Sequence, residues 1–270
     1  MFSRIAALVL GLVLTSNALG DGRAPSAQEL CHQSITVGRE LWLTGKFDAP
    51  ANVATLMVDV IDGKLPQARQ QLKAMSPNDA QRWRQSALIT AIFAGQSVVV
   101  EGLLDDGANV DGQGWIPPFK PVFFSKTMDS MKHDSRFGGP SAVRGMEKGG
   151  LVGNSGQLLG PPLGAAGQCG DLATLNVLLR HHANARAPFR PHVADALVEG
   201  TMQGNAAIVK TMLDHGADPC AFDRGAILYS RNTRRPTATL EKIGRHAGLP
   251  ESLTRRLACP SIASGTTPAR

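Results

Sequence analysis

The chain has 270 residues, of which 43% are hydrophobic and only 5% are aromatic. Leucine, valine, alanine and methionine supply enough apolar surface for helices to bury, so the low aromatic content does not indicate a disordered chain. The formal net charge is +6, and the positive residues are spread along the sequence. This distribution argues against a nucleic-acid-binding protein.

The first twenty residues have the layout of a secretory signal peptide. Arg4 supplies one positive charge, an apolar run extends from Ile5 to Leu14, and small and polar residues follow. A membrane anchor is the weaker interpretation, because a span needs about 20 apolar residues. We predict a signal peptide at residues 1–20, cleaved after Ala18 or Gly20. The mature protein is then periplasmic or secreted and has no membrane span.

Residues 21–52 are predicted to be an N-terminal helical or linker segment. Leu30, Ile35, Leu41 and Trp42 are spaced as on one face of a helix. We expect this helix to cover the exposed end of the array that follows.

The strongest pattern in the chain is an internal repeat. Leucine or valine recurs in matching columns, with leucine seven positions before a central glycine at Leu88, Leu163 and Leu197. Such columns place apolar side chains on one face of two short helices, the first of which is expected at 86–94, 162–169 and 195–203. Small residues that let neighbouring helices approach closely stand four positions before the glycine, at Ala91, Ala166 and Gly200. The segments that align without gaps are Ser86–Asp111, Pro161–Ala185 and Asp195–Pro219, with central glycines Gly95, Gly170 and Gly204. They end in the turns Gly107-Ala108-Asn109, His182-Ala183-Asn184 and Gly216-Ala217-Asp218.

These columns resemble the ankyrin repeat. The resemblance rests on Pro162-Leu163 with Gly170-Asp171-Leu172 and Leu178-Leu179, and on Gly204 followed by Gly216-Ala217-Asp218. It implies an all-α ankyrin-repeat solenoid of four or five helix-pair units with one long insertion. The domain is expected at 53–258, with repeats at about 53–80, 86–112, 161–188 and 195–223, a degenerate cap at 224–258 and the insertion at 112–160.

The outer units and some turn positions depart from the pattern. A weak first copy is centred on Gly63, and a degenerate last unit is expected as helices at 226–232 and 236–246. The histidine that supports turn hydrogen bonds in the family is replaced by Ile89, Gly164 and Val198, so these turns must be held in another way. His182 stands where the other copies have glycine, and a left-handed conformation there would cost about 1 kcal/mol.

The insertion carries the candidate partner-binding residues. Gly95 and Gly170 are 75 residues apart, whereas one ankyrin period is about 33. Trp115, Phe119, Phe123 and Phe124 match no repeat column, and aromatics interspersed with cations are typical of interface centres. They either anchor a partner or pack the insertion against the stack, and an extra degenerate helix pair is a third alternative.

Turn residues form a second set of candidates. Asp105, Asp106 and Asp111 cluster at the turn that leads into the insertion and are expected to tune association rates. The remaining candidates are the turn residues Asn109, Asn184 and Asp218 on the concave side.

The cysteines Cys31, Cys169, Cys220 and Cys259 allow three disulfide pairings. We favour a disulfide between Cys220 and Cys259, which are 39 residues apart near the end of the array. The pairing of Cys31 and Cys169 stays open, because Cys169 could equally be a buried thiol. The tail at 259–270 is expected to be disordered.

No motif in the sequence supports catalysis. Gly153-Asn154-Ser155 lacks the closing glycine of a nucleophile elbow, since Gln157 stands there, and His181-His182 are adjacent rather than spaced as metal ligands. We therefore predict that the protein is not an enzyme and needs no cofactor and no metal.

The predicted function is non-catalytic protein–protein binding in the periplasm. Exported bacterial ankyrin proteins resemble two groups, immunity proteins that block a toxic effector and periplasmic factors in catalase-linked oxidative-stress defence. The immunity role is favoured because the aromatic insertion resembles a plug for a partner's cleft. A secreted effector that mimics host binding partners is a further alternative. The partner in each case is another protein, not nucleic acid.

Overall fold

The computed structural model describes residues 26–120, 157–158, 160–187, 195–224 and 239–259. Its regular elements are short helices and one pair of two-residue strands. In chain order they are α1 Ala27–Leu43, α2 Ala51–Ile61, α3 Leu65–Lys73, α4 Pro77–Phe93, α5 Ser97–Asp105, β1 Trp115–Ile116, β2 Gln157–Leu158, α6 Pro162–Cys169, α7 Leu172–Arg180, α8 Ala196–Met202, α9 Ala206–Asp214, α10 Leu240–His246 and α11 Glu251–Leu257. Residues 219–224 are also helical.

After α1, the described helices form five consecutive pairs that stack into two layers. The first helices of the pairs, α2, α4, α6, α8 and α10, each pack on the next one in that order. The second helices, α3, α5, α7, α9 and α11, form a parallel layer in the same order. Each pair thus buries its apolar face against its neighbours, as in a solenoid. The predicted all-α ankyrin solenoid is confirmed.

A left-handed glycine ends the first helix of every pair. Its φ lies between 66° and 81°, and its N–H and that of the next residue bond to carbonyls of the last helical turn. Only glycine adopts this conformation without a Cβ penalty. The five positions are Gly63, Gly95, Gly170, Gly204 and Gly248. The first and last repeats, which are weak in the sequence, therefore end their first helices in the same way as the three clear repeats.

The last helix pair lies later in the chain than the sequence indicated. Its first helix is α10 rather than 226–232, which lies outside the described residues, and its second is α11 rather than 236–246. The hydroxyl of Thr239 accepts the Lys242 N–H and begins α10, and Gly248 ends it. The predicted second helix is thus in large part the first helix of the unit.

Helix α4 is longer than the repeat alone predicted. The repeat indicated a helix over 86–94, but α4 begins at Pro77, where the Ser76 hydroxyl accepts the Asp79 N–H at 3.3 Å. Its added N-terminal turns carry Trp83 and Gln85 toward the insertion. The other two first helices, predicted at 162–169 and 195–203, agree with α6 and α8 within one residue.

Small residues let the first helices approach closely. Ala91 and Ala166 are fully buried, as the small-residue column predicted. One close approach is at Gly167, where an added Cβ would lie 2.5 Å from Cα and 2.8 Å from Cβ of Ala196 on α8. The spacing between α6 and α8 therefore requires glycine at this position.

Helix α1 forms a third layer over the first helices. It packs chiefly on α2, and also on α4 and α6, so it crosses three repeats rather than covering the end of the array as expected. Arg39 makes a two-pronged ion pair with Asp62, at 2.6 and 2.9 Å, beyond the end of α2. Cys31 lies at disulfide distance from Cys169 at the end of α6, with 5.6 Å between the Cα atoms.

Replacement of Gly167 by alanine is expected to destabilise the protein by about 1–3 kcal/mol, because the methyl group overlaps the backbone of Ala196. Chemical denaturation measures the change. Gly38→Ala in α1 is the matched control, since nothing lies within 4 Å of its added Cβ, and it should be neutral or stabilising. Equal effects of both substitutions would contradict the close packing described for α6 and α8.

Replacement of His182 by glycine is expected to stabilise the protein by up to about 1 kcal/mol. His182 has φ 64°, and it is the only non-glycine with positive φ among the described residues. Glycine removes the Cβ penalty, although it also gives the unfolded chain more freedom. Gly107→Ala tests the same position in reverse: φ is 90° with open space around the Cβ, so it should destabilise. A lower unfolding midpoint for His182→Gly would contradict this account.

The ion pair of Arg39 and Asp62 is expected to stabilise the protein in a pH-dependent way. The hydrogen bond from Arg39 lowers the pKa of Asp62 to about 2, against 3.8 for the free side chain. The contribution is therefore complete above about pH 4 and is lost as the pH falls toward 2. Denaturation at pH 7, 4, 3 and 2.5 should show Asp62→Asn about 1 kcal/mol less stable than the parent at pH 7, with the difference reduced to less than about half at pH 2.5. A constant difference across this range would be the contrary result.

Candidate partner-binding surface

The two ends of the insertion meet in a narrow neck. β1 pairs antiparallel with β2, with Trp115 opposite Leu158 and Ile116 opposite Gln157. The repeats on either side remain in direct contact, α4 with α6 and α5 with α7. The insertion therefore leaves the stack and returns to it at one place without separating the repeats.

Trp115 packs against the N-terminal half of α4. Its ring lies 5.5 Å from that of Trp83, and the Arg82 guanidinium lies 3.9 Å above it. The Ser86 hydroxyl accepts the Trp115 N–H at 3.1 Å and donates to its carbonyl at 2.7 Å. Both its side chain and its backbone thus hold the neck to the stack.

Phe119 joins the insertion to the segment that follows α1. It stacks on Phe47 with 4.8 Å between ring centroids, and Phe47 in turn lies 4.1 Å from Trp42 of α1. The backbones pair as well, because Lys120 donates to the Lys46 carbonyl at 2.8 Å. Trp115 and Phe119 are therefore engaged within the chain. The other two aromatic candidates, Phe123 and Phe124, lie outside the described residues.

The turn candidates occupy equivalent places along one edge of the stack. Asn109, Asn184 and Asp218 are exposed, and each side-chain oxygen accepts the backbone N–H two residues ahead, at 2.9–3.0 Å. We call this edge the turn rim, formed by the turns 107–111, 182–186 and 216–220. Because each turn is closed by its own Asx bond, the rim keeps one shape from repeat to repeat.

The three acidic candidates do not act as one cluster. Asp106 is paired with Arg69 of the preceding repeat, at 2.7 and 3.1 Å. The Asp111 carboxylate accepts the Asn184 N–H at 2.9 Å and so joins the turns on both sides of the insertion. Asp105 has 61% of its side chain exposed, with the His181 ring nitrogen 3.9 Å away. Asp105 is the one of the three that most resembles a solvated rim charge.

Sequence reasoning missed Gln85, which organises the first turn of the rim. This buried amide accepts the Asn109 N–H and donates to the carbonyls of Asn109 and Gly112, each at 2.9 Å. It supplies turn hydrogen bonds of the kind that the absent family histidine would make. The available signal was that absence, together with Gln85-Ser86 directly before the apolar residues 87–89.

The last turn of the rim is tied to the end of the array. Cys220 and Cys259 lie at disulfide distance, with 5.4 Å between their Cα atoms. Burial alone would raise the pKa of Asp218, but its bonds to Arg224 and to the Cys220 N–H outweigh that effect and lower the pKa. Asp223 is buried and accepts the Leu240 N–H at 2.9 Å, and burial raises its pKa. These contacts join the helical residues 219–224 to α10 and α11.

Among the described residues, no three histidine, cysteine or acidic side chains are grouped as a metal site would need. None of the described helices has the length and apolar composition of a membrane span. A shallow groove of about 440 Å³ lies on the second-helix side, between α9 and α11, and Lys210, Leu253 and Arg256 are among its lining residues.

No protein-family model matches the chain, and the search of curated proteins found no match. Among solved structures, the chain is similar to the ankyrin repeat domain of Bcl-3, described as a unique member of the IkappaB protein family. The identity is 17%, the alignment covers 81% of this chain and 82% of that one, and the TM-score is 0.39. The fold assignment therefore rests on the helix pairs and their turns described above.

Proposed function

We propose that this protein is a non-catalytic module that binds another protein through its turn rim and the neighbouring insertion. The observation that carries the proposal is the turn rim itself. Its exposed polar residues recur at equivalent positions in adjacent repeats. A stack that holds such residues in register offers an extended, preorganised surface, and preorganisation lowers the entropic cost of binding.

The first-helix side contributes less to this surface than the repeat alone would suggest. In an ankyrin array that side lines the concave face, but here α1 packs over the first helices of three repeats. A partner therefore meets the rim and the neck first, and beyond them the surface of α8 and α10.

The place of action that we propose is an oxidising compartment, the periplasm or the cell exterior. Both cysteine pairs of the chain lie at disulfide distance, and such bonds persist outside the cytoplasm. The signal-peptide pattern of residues 1–20 supports the same location.

Within that compartment we propose an inhibitory role of the immunity type, in which the insertion blocks a toxic effector. The neck fixes both ends of the insertion on the stack through β1, β2 and the Trp115 contacts. A loop held in this way presents its residues with less loss of entropy than a free one. Phe123 and Phe124 are the proposed anchors, because Trp115 and Phe119 are already engaged within the chain.

Paired alanine substitutions test this assignment. Phe123→Ala with Phe124→Ala should weaken partner binding by about 2 kcal/mol or more and leave the melting temperature nearly unchanged. The matched control, Trp115→Ala with Phe119→Ala, should lower the melting temperature, since it removes the contacts with Trp83 and Phe47. The partner is first captured with the mature protein from its own cells, identified, purified and then titrated against each variant.

Two outcomes would count against the proposal. Full affinity in the Phe123→Ala, Phe124→Ala variant would show that the insertion is a spacer, and binding would then be tested at Asn109, Asn184 and Asp218. Loss of stability in that variant to the extent seen in the control would show that its aromatics also pack within the chain.

A further inference from the structure

Helix α1 is held over the stack mainly by apolar side chains of its C-terminal half. Trp42 alone is buried among its seventeen residues, all of which are described. Leu30 and Leu43 are 40% and 54% exposed, although both are large apolar side chains. Ile35 and Leu41 are partly buried against the core, and of these only Ile35 lies in the N-terminal half, residues 27–38. Burial of apolar area is the main source of packing free energy, so the hydrophobic contribution to docking that half is small.

The anchors of α1 differ between its two halves. The C-terminal half has the buried Trp42, whose ring contacts that of Phe47, and the ion pair of Arg39 with Asp62. In the N-terminal half, the covalent anchor is the cysteine pair of Cys31 with Cys169, which lies at the last residue of α6. This pair joins residues 138 positions apart and spans three repeats.

We propose that Cys31–Cys169 is a redox latch, whose reduction by a dithiol releases the N-terminal half of α1 and opens the first-helix face at α4 and α6. The C-terminal half stays docked through its own anchors, so the release is local. Because the face accommodates a helix in the latched state, the occupant that it fits in the open state is a helical segment of a partner protein.

The dithiol supplies both electrons that the reduction of the Cys31–Cys169 bond requires. A thiolate of the reductant attacks Sγ of Cys31, which is partly exposed, whereas Cys169 is only 3% exposed. A mixed disulfide forms and the Cys169 thiolate leaves and takes up a proton. The second thiolate of the reductant then attacks the mixed disulfide and frees Cys31, which is protonated in turn. The reductant becomes a disulfide, and two electrons and two protons reach the protein.

Release of the N-terminal half follows from helix energetics. Residues 27–38 make about three helical turns, and most helical stability in proteins comes from tertiary packing of an apolar face, to which this half contributes Ile35. The intrahelical capping box of Ser26 and Glu29 supports its start but does not bind it to the stack. Once the covalent link is broken, the segment is expected to detach and fray.

The other cysteine pair is expected to respond differently to reduction. Cys220 and Cys259 join segments that are also held by the Asp223 bond to the Leu240 N–H and by the packing of α10 on α8. Its reduction is therefore expected to leave the last repeats folded and to leave α1 in place.

Hydrogen exchange followed by mass spectrometry of the full chain, with and without dithiothreitol, tests the latch. On reduction, the amides of residues 27–38 should exchange at least tenfold faster, while those of α8 and α9 stay within about twofold. Alkylation of the freed thiols confirms which cysteines were reduced. The Cys31→Ser, Cys169→Ser variant should show the fast exchange without reductant, and the Cys220→Ser, Cys259→Ser variant should still require it.

Two results would overturn the latch. Unchanged exchange at 27–38 in protein whose Cys31 is fully reduced would show that packing alone holds α1. Equal acceleration across all helices would show that the bond stabilises the whole fold. The reduced parent protein decides the question even if a serine variant fails to fold. Partner binding at the turn rim is a separate measurement, so either proposal can fail without the other.

The open face is tested with a labelled peptide that has the sequence of residues 26–38 and serine at position 31. It should bind the reduced full chain saturably and bind the oxidised chain at least tenfold more weakly. A peptide of the same composition in scrambled order is the control. Equal binding to both redox forms, or no binding to the reduced chain that has released its N-terminal half, would contradict a helix-accepting groove.

Discussion

The packing of each first helix on the next is the interaction on which the rest of the structure depends. A single pair of short helices cannot bury its apolar face alone, so the pairs are stable only as a stack. The first helices approach closely where Gly167 faces the backbone of Ala196. The stacking of the pairs places the turns between them in the register of the turn rim.

Two segments are added to the array, the insertion and helix α1, and neither of them separates one repeat from the next. The insertion departs and returns through the β1 and β2 pair, and the Asp111 bond to the Asn184 N–H spans its base. α5 therefore meets α7 as if the insertion were not there. Helix α1 is added in another way, as a third layer that meets the same insertion through the stack of Phe47 on Phe119.

The two additions change which surfaces a partner meets. Helix α1 lies over the first helices of three repeats, so the side that would line the concave face is partly occupied by the chain itself. The turn rim stays exposed, and its shape is held by side chains within each turn and by Gln85 from the neighbouring helix. Exposure and rigidity therefore coincide at the rim, which is what a binding surface needs.

The sequence by itself determined the repeat. Its leucine columns and central glycines carry local information, because a left-handed helix end needs glycine and a buried stripe needs apolar spacing. The helix pairs, the left-handed conformation at His182 and the place of the insertion follow from that pattern. Even the weak first copy shows its glycine, Gly63, in the expected conformation.

The tertiary structure alone decided which residues far apart in the sequence contact each other. No local pattern shows that Cys31 reaches Cys169, that Gln85 closes the turn at Asn109, or that Asp106 pairs with Arg69. These partners are far apart in the chain and come together only after the repeats have stacked. The position of α1 is of the same kind: its spacing predicted a helix, but the surface that it covers depends on where the ends of three first helices lie in space.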